Sequence, residues 1–163
     1  MRESLDKILE WILVILMALM TLDVLWGVFT RYILGSQASW TEELARYLLI
    51  WIGILGAAYA SGKHLHLSID LFPDSLSGTQ KQRLMVVINL LVIFFVIAAM
   101  IIGGSRLVYV TSYLGQESAA LEWPLAAVYT VMPLSGIIIV YHKISDIIHE
   151  LKKDHQPIHK SDR

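Results

Sequence analysis

The 163-residue chain has no cysteine, which excludes disulfides, thiolate metal sites, iron–sulfur ligation and a cysteine nucleophile together. It is also poor in charge: 17% of residues are Asp, Glu, Lys or Arg, where soluble domains carry about 25%. No basic excess exists either, since 13 Lys and Arg against 14 Asp and Glu give a formal charge of −1, so nucleic-acid binding is excluded as a leading reading. No nucleotide-binding loop, nucleophile–base pair or convergent acid–base group is present, which argues against an enzyme.

What the chain has instead is apolar sequence, 56% of all residues, gathered into blocks of the length that crosses a hydrocarbon core of about 30 Å. The first runs from Trp11 to Thr30 with Asp23 as its one charge, and lacks the cleavage signal of a secretory peptide, so it reads as an uncleaved anchor. The second spans 42–62. Ser39 and Glu42 fit a capping box, and the carboxylates of Glu42 and Glu43 complement the positive end of a helix dipole. The third covers Leu84 to Ser105, and the fourth Trp123 to His142, with Pro124 suited to a first turn and Pro133 inside the span. A kink is expected near Pro133, with Thr130 and Ser135 as candidates to satisfy the freed carbonyl.

The expected fold is all-α, an integral-membrane four-helix bundle over residues 1–151, followed by a charged tail at 152–163. With both termini cytoplasmic, ten Lys and Arg lie inside and three, Arg31, Arg46 and Arg106, lie outside; this bias sets the orientation. Trp26, Tyr32, Trp40, Tyr109, Tyr113 and Trp123 then form an outer aromatic belt, with Trp11 and Tyr141 at the inner boundary.

Asp23 is the carboxylate deepest in a span, a functional candidate by default; the plainer reading pairs it with a basic group or hydroxyl of this chain or of a partner. His64, His66 and Asp70 in K-H-L-H-L-S-I-D have metal-ligand chemistry, but the alternation of Leu65, Leu67, Ile69 and Leu71 equally suits a loop lying on the membrane surface. Haem is disfavoured because His142, His149, His155 and His159 lie outside the body of any span, so no cofactor is expected. Gly53 with Ala57, Gly56 with Ala60, Ala58 with Gly62 and Ala99 with Gly103 are small-xxx-small pairs that permit close helix approach, within the chain or to another subunit. Four nearly unbroken spans without repeats or midplane polar clusters suit a scaffold better than a transport pathway. The competing reading is a small homodimeric proton-coupled antiporter using Asp23, although the strong charge bias opposes dual topology.

Trp40-Thr41-Glu42-Glu43-Leu44-Ala45-Arg46-Tyr47-Leu48, then Trp51, Gly53, Leu55-Gly56-Ala57-Ala58, and His66 four residues before Asp70, closely resemble the signature of the small membrane subunit of tripartite ATP-independent periplasmic (TRAP) transporters, the DctQ-like family. Arg31-Tyr32 at the end of the anchor, the Pro73 loop, and Pro124, Tyr129 and Pro133 in the last span extend the likeness to the whole chain. The resemblance implies a fixed scaffold in the bacterial inner membrane. Its implied partners are a large membrane subunit, about one to one, that carries the sodium and substrate sites, and a periplasmic binding protein that delivers an organic acid. Under that reading Glu42, Glu43 and Arg46 order the outer end of the second helix, by i,i+3 or i,i+4 pairing, lipid headgroups or the large subunit, and His66 and Asp70 fix a loop by hydrogen bonding.

Overall fold

A computed structural model describes residues 2–36, 38–63 and 78–153. Its elements are α1 (Arg2–Ile33), α2 (Ser39–Lys63), α3 (Gly78–Phe95), a π-helical stretch (Val96–Gly103), α4 (Gly104–Tyr113), α5 (Leu125–Tyr129) and α6 (Val131–Lys153). Among the described residues there is no β-strand, only an isolated bridge between Glu117 and Pro124. Four helical stretches are long and apolar enough to cross a membrane: Ser4–Ile33, Ser39–Lys63, Arg83–Tyr113 and Leu125–Ile148.

All four expected spans are present, and each is longer than its apolar block. Helix α1 begins well before Trp11, and the third span continues through Arg106 to Tyr113. The reason is physical: charge marks where a helix leaves the hydrocarbon, not where its backbone hydrogen bonding ends, and an arginine at headgroup depth stays helical with its charge turned to water. The segment that joins the third span to the fourth is accordingly short, residues 114–124. Helix α2 starts at Ser39, the residue that the capping-box pattern marks as its beginning. The Thr41 backbone N–H and hydroxyl both donate to the Ala38 carbonyl, at 3.2 and 2.8 Å, and close the first turn.

The helices pack in the order α1, α2, α6, then the π-helical stretch with α3. Between Lys7 and Ile33, every α1 residue that is not exposed falls on one series, Leu9, Leu13, Leu16, Met20, Asp23, Gly27 and Thr30. Alternating steps of four and three residues mark a seam along one helix face, here laid against α2. Few apolar side chains are fully enclosed. Leu9, Leu55 and Val131 form one buried cluster and Ala58, Val96 and Ile139 another, while Leu22, Leu91, Phe94 and Ile102 face outward. Lipid solvates such residues, so helix association rests on close packing more than on hiding apolar surface.

Close packing is visible at two glycines that the small-residue pairs did not include. A Cβ on Gly136 would lie 2.9 Å from Ile101, and one on Gly104 3.0 Å from Met132 and 3.1 Å from Pro133. These contacts join α6 to the π-helical stretch and α4. Of the four expected pairs, Ala58 with Gly62 turns inward: Ala58 is fully buried, and a Cβ on Gly62 would meet the His142 ring at 2.8 Å. Around Gly53 and Gly56 an added Cβ meets nothing within 4 Å, and Gly53, Ala57, Ala99 and Gly103 are exposed.

The break expected near Pro133 falls three residues earlier, at Thr130, between α5 and α6. Pro133 is the third residue of α6, where a missing N–H costs little, and its ring packs beside Gly104. The Thr130 hydroxyl donates to the Ala126 carbonyl at 2.8 Å, one turn earlier than expected of it. Ser135, the other candidate, is fully buried with its hydroxyl unbonded. The side chain that reaches the broken region comes from another helix: the Trp51 indole N–H donates to the Val128 carbonyl at 3.0 Å.

Candidate functional site

The two ends of the bundle and one cleft hold the polar side chains. At one end Glu43, in the second turn of α2, reaches across to the segment joining α4 and α5. Its Oε2 accepts from the backbone N–H of Ala120 at 2.7 Å and of Leu121 at 3.1 Å; its Oε1 accepts from Ala119 N–H at 3.1 Å and from the Tyr47 hydroxyl at 2.9 Å. Three successive N–H groups converging on one carboxylate make a small anion-binding nest filled by the chain's own side chain.

That segment is prepared to receive it. Gly115 ends α4 at φ +58°, with Gly115 N–H on the Ser112 carbonyl (3.1 Å) and Gln116 N–H on Thr111 (3.0 Å), the two bonds of a Schellman close. The Ser118 N–H on Trp123 (2.8 Å) and Leu125 N–H on Gln116 (3.0 Å) then pin the segment's two arms together. Glu122 sits at φ +54°, an uncommon conformation for a residue with a side chain, held by its N–H on the Ser118 carbonyl at 3.1 Å.

The sequence left three kinds of partner open for Glu42, Glu43 and Arg46: local pairing, lipid headgroups or another subunit. Glu43 does bond Tyr47 at i,i+4, but its main partners lie more than seventy residues away in the chain. Spacing along one helix could not reveal this, because the acceptors of local pairing and of loop closure are the same atoms. Arg46 and Trp40 are exposed, and Glu42 turns toward α1.

Between α1 and α2 lies a cleft of about 270 Å³ lined by Asp23, Gly27, Arg31, Thr41, Glu42 and Ala45, among others. Asp23 is 6% exposed, and neither carboxylate oxygen has a hydrogen-bond partner. The pairing expected for it within this chain is absent among the described residues. Its seam position was open to discovery from the 4–3 spacing of Leu9, Leu13, Leu16, Met20, Gly27 and Thr30, a signal the sequence reading did not use.

At the opposite end, His142 of α6 is fully buried, its Nε2 3.2 Å from Asp6 Oδ1 of α1, with Gly62 of α2 against the ring. Asp146, one turn on, is buried as well, 3.7 Å from the Lys143 ammonium. The sequence reading set His142 at the boundary of a span; the helix carries it into the packed end of the bundle. No group of three or more His, Asp or Glu able to hold a metal occurs among the described residues. His66 and Asp70 lie outside the described residues.

These features are structural: two packed ends, a nest closed by its own carboxylate, and a cleft with one unpaired acid. A model of the family described as tripartite ATP-independent periplasmic transporters, DctQ component, matches residues 20–153. The chain belongs to the DctQ family. The family match covers α2 to α6 completely and α1 from Met20 onward, so it contains both the Glu43 nest and the Asp23 cleft.

Curated relatives agree. The sialic acid TRAP transporter small permease protein SiaQ of Vibrio cholerae is 29% identical over 158 residues, covering 93% of this chain and 86% of the relative. A putative TRAP transporter small permease protein of Haemophilus influenzae is 38% identical over 71 residues, 44% of each chain. The isethionate TRAP transporter permease protein DctMQ of Oleidesulfovibrio alaskensis is 26% identical over 119 residues, 72% of this chain but 18% of that protein. This DctQ-family chain is thus a multi-pass membrane protein and a small permease subunit for TRAP-type substrate uptake.

Proposed function

We propose that this chain is the stationary subunit of a TRAP transporter in the bacterial inner membrane, with both termini cytoplasmic. It pairs about one to one with a large membrane subunit for sodium-coupled, binding-protein-dependent uptake of an organic acid. The observation that carries the reading is the family match over residues 20–153, joined to a bundle without a transport pathway among its described residues: the buried acid of the cleft, Asp23, has no hydrogen-bond partner there, and the hydroxyls of Thr21, Thr30, Thr111 and Thr130 bond back to their own helices.

The DctMQ relative supports the pairing, since the stretch similar to this chain makes up under a fifth of one longer permease polypeptide. Relatives named for sialic acid and for isethionate, one a sugar carboxylate and the other a small sulfonate, share similar identity with this chain. This supports leaving substrate choice to the other components.

As a fixed subunit the chain widens the stationary part of the assembly, against which a moving transport domain is displaced. The stacked rings of Tyr109 and Tyr113, 6.2 Å apart, and of Trp26 and Phe29, 5.6 Å apart, lie toward the Glu43 end, where aromatic rings hold a helix at the interface. The Glu43-held segment presents a rigid surface to the periplasm, suited to the binding protein, whose docking engages Glu117 and Arg106. Glu42, Arg46, Trp40 and the stripe of exposed Gly53 and Ala57 with half-buried Gly56 remain available to lipid or the large subunit.

The test is reconstitution of this chain with its large subunit and binding protein in vesicles. Uptake that needs all three proteins and an inward sodium gradient is the expected result. Uptake by the large subunit and binding protein at full rate without this chain refutes the scaffold role.

A further inference from the structure

The Asp23 cleft does not end at Asp23. Sharing Val24, it runs on into an apolar groove of about 450 Å³ between the same two helices, lined by Met17, Leu25, Leu49 and Ile52. On α2 the lining residues Glu42, Ala45, Leu49 and Ile52 step by three and four, a stripe beside the seam. A groove thus runs from Tyr32 and Glu42 down to Met17 and Ile52, with a carboxylate at mid-length that is buried and has no partner among the described residues.

We propose that this α1–α2 groove seats a transmembrane helix of the large membrane subunit, and that this helix supplies an ammonium, guanidinium or hydroxyl donor to the Asp23 carboxylate. The proposal rests on the scaffold reading above. Three observations select this occupant.

An acid in the hydrocarbon zone is retained where a donor meets it, and none of the described residues donates to Asp23. Acyl chains offer no donor. A phospholipid amine or phosphate stays at headgroup level, beside Arg31, whereas Asp23 lies eight residues deeper, about 12 Å along a helix axis. A groove of this length with small Gly27 and Ala45 in its walls admits a helix at close range.

The absence of cysteine makes the groove directly addressable. Val24→Cys and Leu49→Cys place a single thiol in the groove, and Phe94→Cys places one on exposed α3 at the far side of the bundle. Each variant is labelled with a benzophenone maleimide in membranes that also contain the large subunit, irradiated and purified. The expected result is a large-subunit adduct from both groove positions, about tenfold more than from Phe94→Cys, with the complex co-purifying in all three.

Adducts from Phe94→Cys alone, or groove adducts carrying lipid or a second copy of this chain, overturn the docking site while leaving the scaffold reading intact. Failure of the large subunit to co-purify with the unsubstituted chain overturns both. For the donor, Asp23→Leu is expected to lower complex yield in mild detergent about tenfold with the purified single chain melting as before, and Asp23→Asn, which keeps an acceptor, to lower it less. Equal yields from Asp23→Leu and the unsubstituted chain refute the donor contact.

Discussion

Glu43 and Asp23 are carboxylates on two helices of the same antiparallel pair, and they have been treated in opposite ways. Glu43 lies at the end of the bundle, where the chain brings four donors to it; Asp23 lies on the seam and meets none among the described residues. Paired with backbone N–H groups, a carboxylate organises its own chain, closing the 114–124 segment onto α2. Unpaired and buried, a carboxylate has no such use to its own chain, and its satisfaction must come from elsewhere. The first folds one subunit; the second, under the docking proposal, joins two.

The largest effect of breaking this contrast is expected from Glu43→Ala. Three backbone N–H groups lose their acceptor at once, so hydrogen exchange at Ala119, Ala120 and Leu121 should quicken by roughly tenfold or more while amides in the middle of α2 stay protected. Unchanged protection would show that the segment holds itself.

Gly62→Ala comes next. A Cβ 2.8 Å from the His142 ring, with Asp6 behind it, forces the three-helix contact apart and should cost about 1–3 kcal/mol, read as a lower melting temperature. Gly53→Ala, with nothing within 4 Å, is its control and should leave stability within about 0.5 kcal/mol.

Trp51→Phe keeps the ring but withdraws the donor from the Val128 carbonyl at the α5–α6 break, an expected loss of about 1 kcal/mol by the same measurement. Smallest for the single chain is Asp23→Asn, which removes no bond this chain makes and should shift melting by less than about 0.5 kcal/mol. A large destabilisation of the purified subunit by Asp23→Asn would mean that Asp23 serves its own bundle after all, and would erase the contrast with Glu43.

Much of the fold was legible before any coordinates. Apolar blocks of membrane-crossing length announced four helices, and Pro133 marked the region of the helix break, although the break itself falls three residues earlier, at Thr130. The site was legible only in part. Glu43 stood out as a signature residue, but its partners are backbone groups of Ala119 to Leu121, and backbone groups carry no sequence code. Trp51 was singled out too, and its bond to Val128 was invisible for the same reason. The small-residue pairs were ambiguous because glycine marks a close approach without saying what approaches; contacts divided them, turning Ala58 and Gly62 inward and leaving Gly53 and Ala57 outward.

By itself, then, the amino-acid sequence determined that this chain is helical, crosses the membrane four times and belongs with the small TRAP subunits, because hydropathy over a span and a local signature are properties of neighbouring residues. Tertiary structure alone decided which carboxylate is spoken for and which is open. Pairing between residues about eighty positions apart, as for Glu43 and the α4–α5 segment, depends on how helices are laid side by side, and so does the absence of any partner for Asp23 among the described residues.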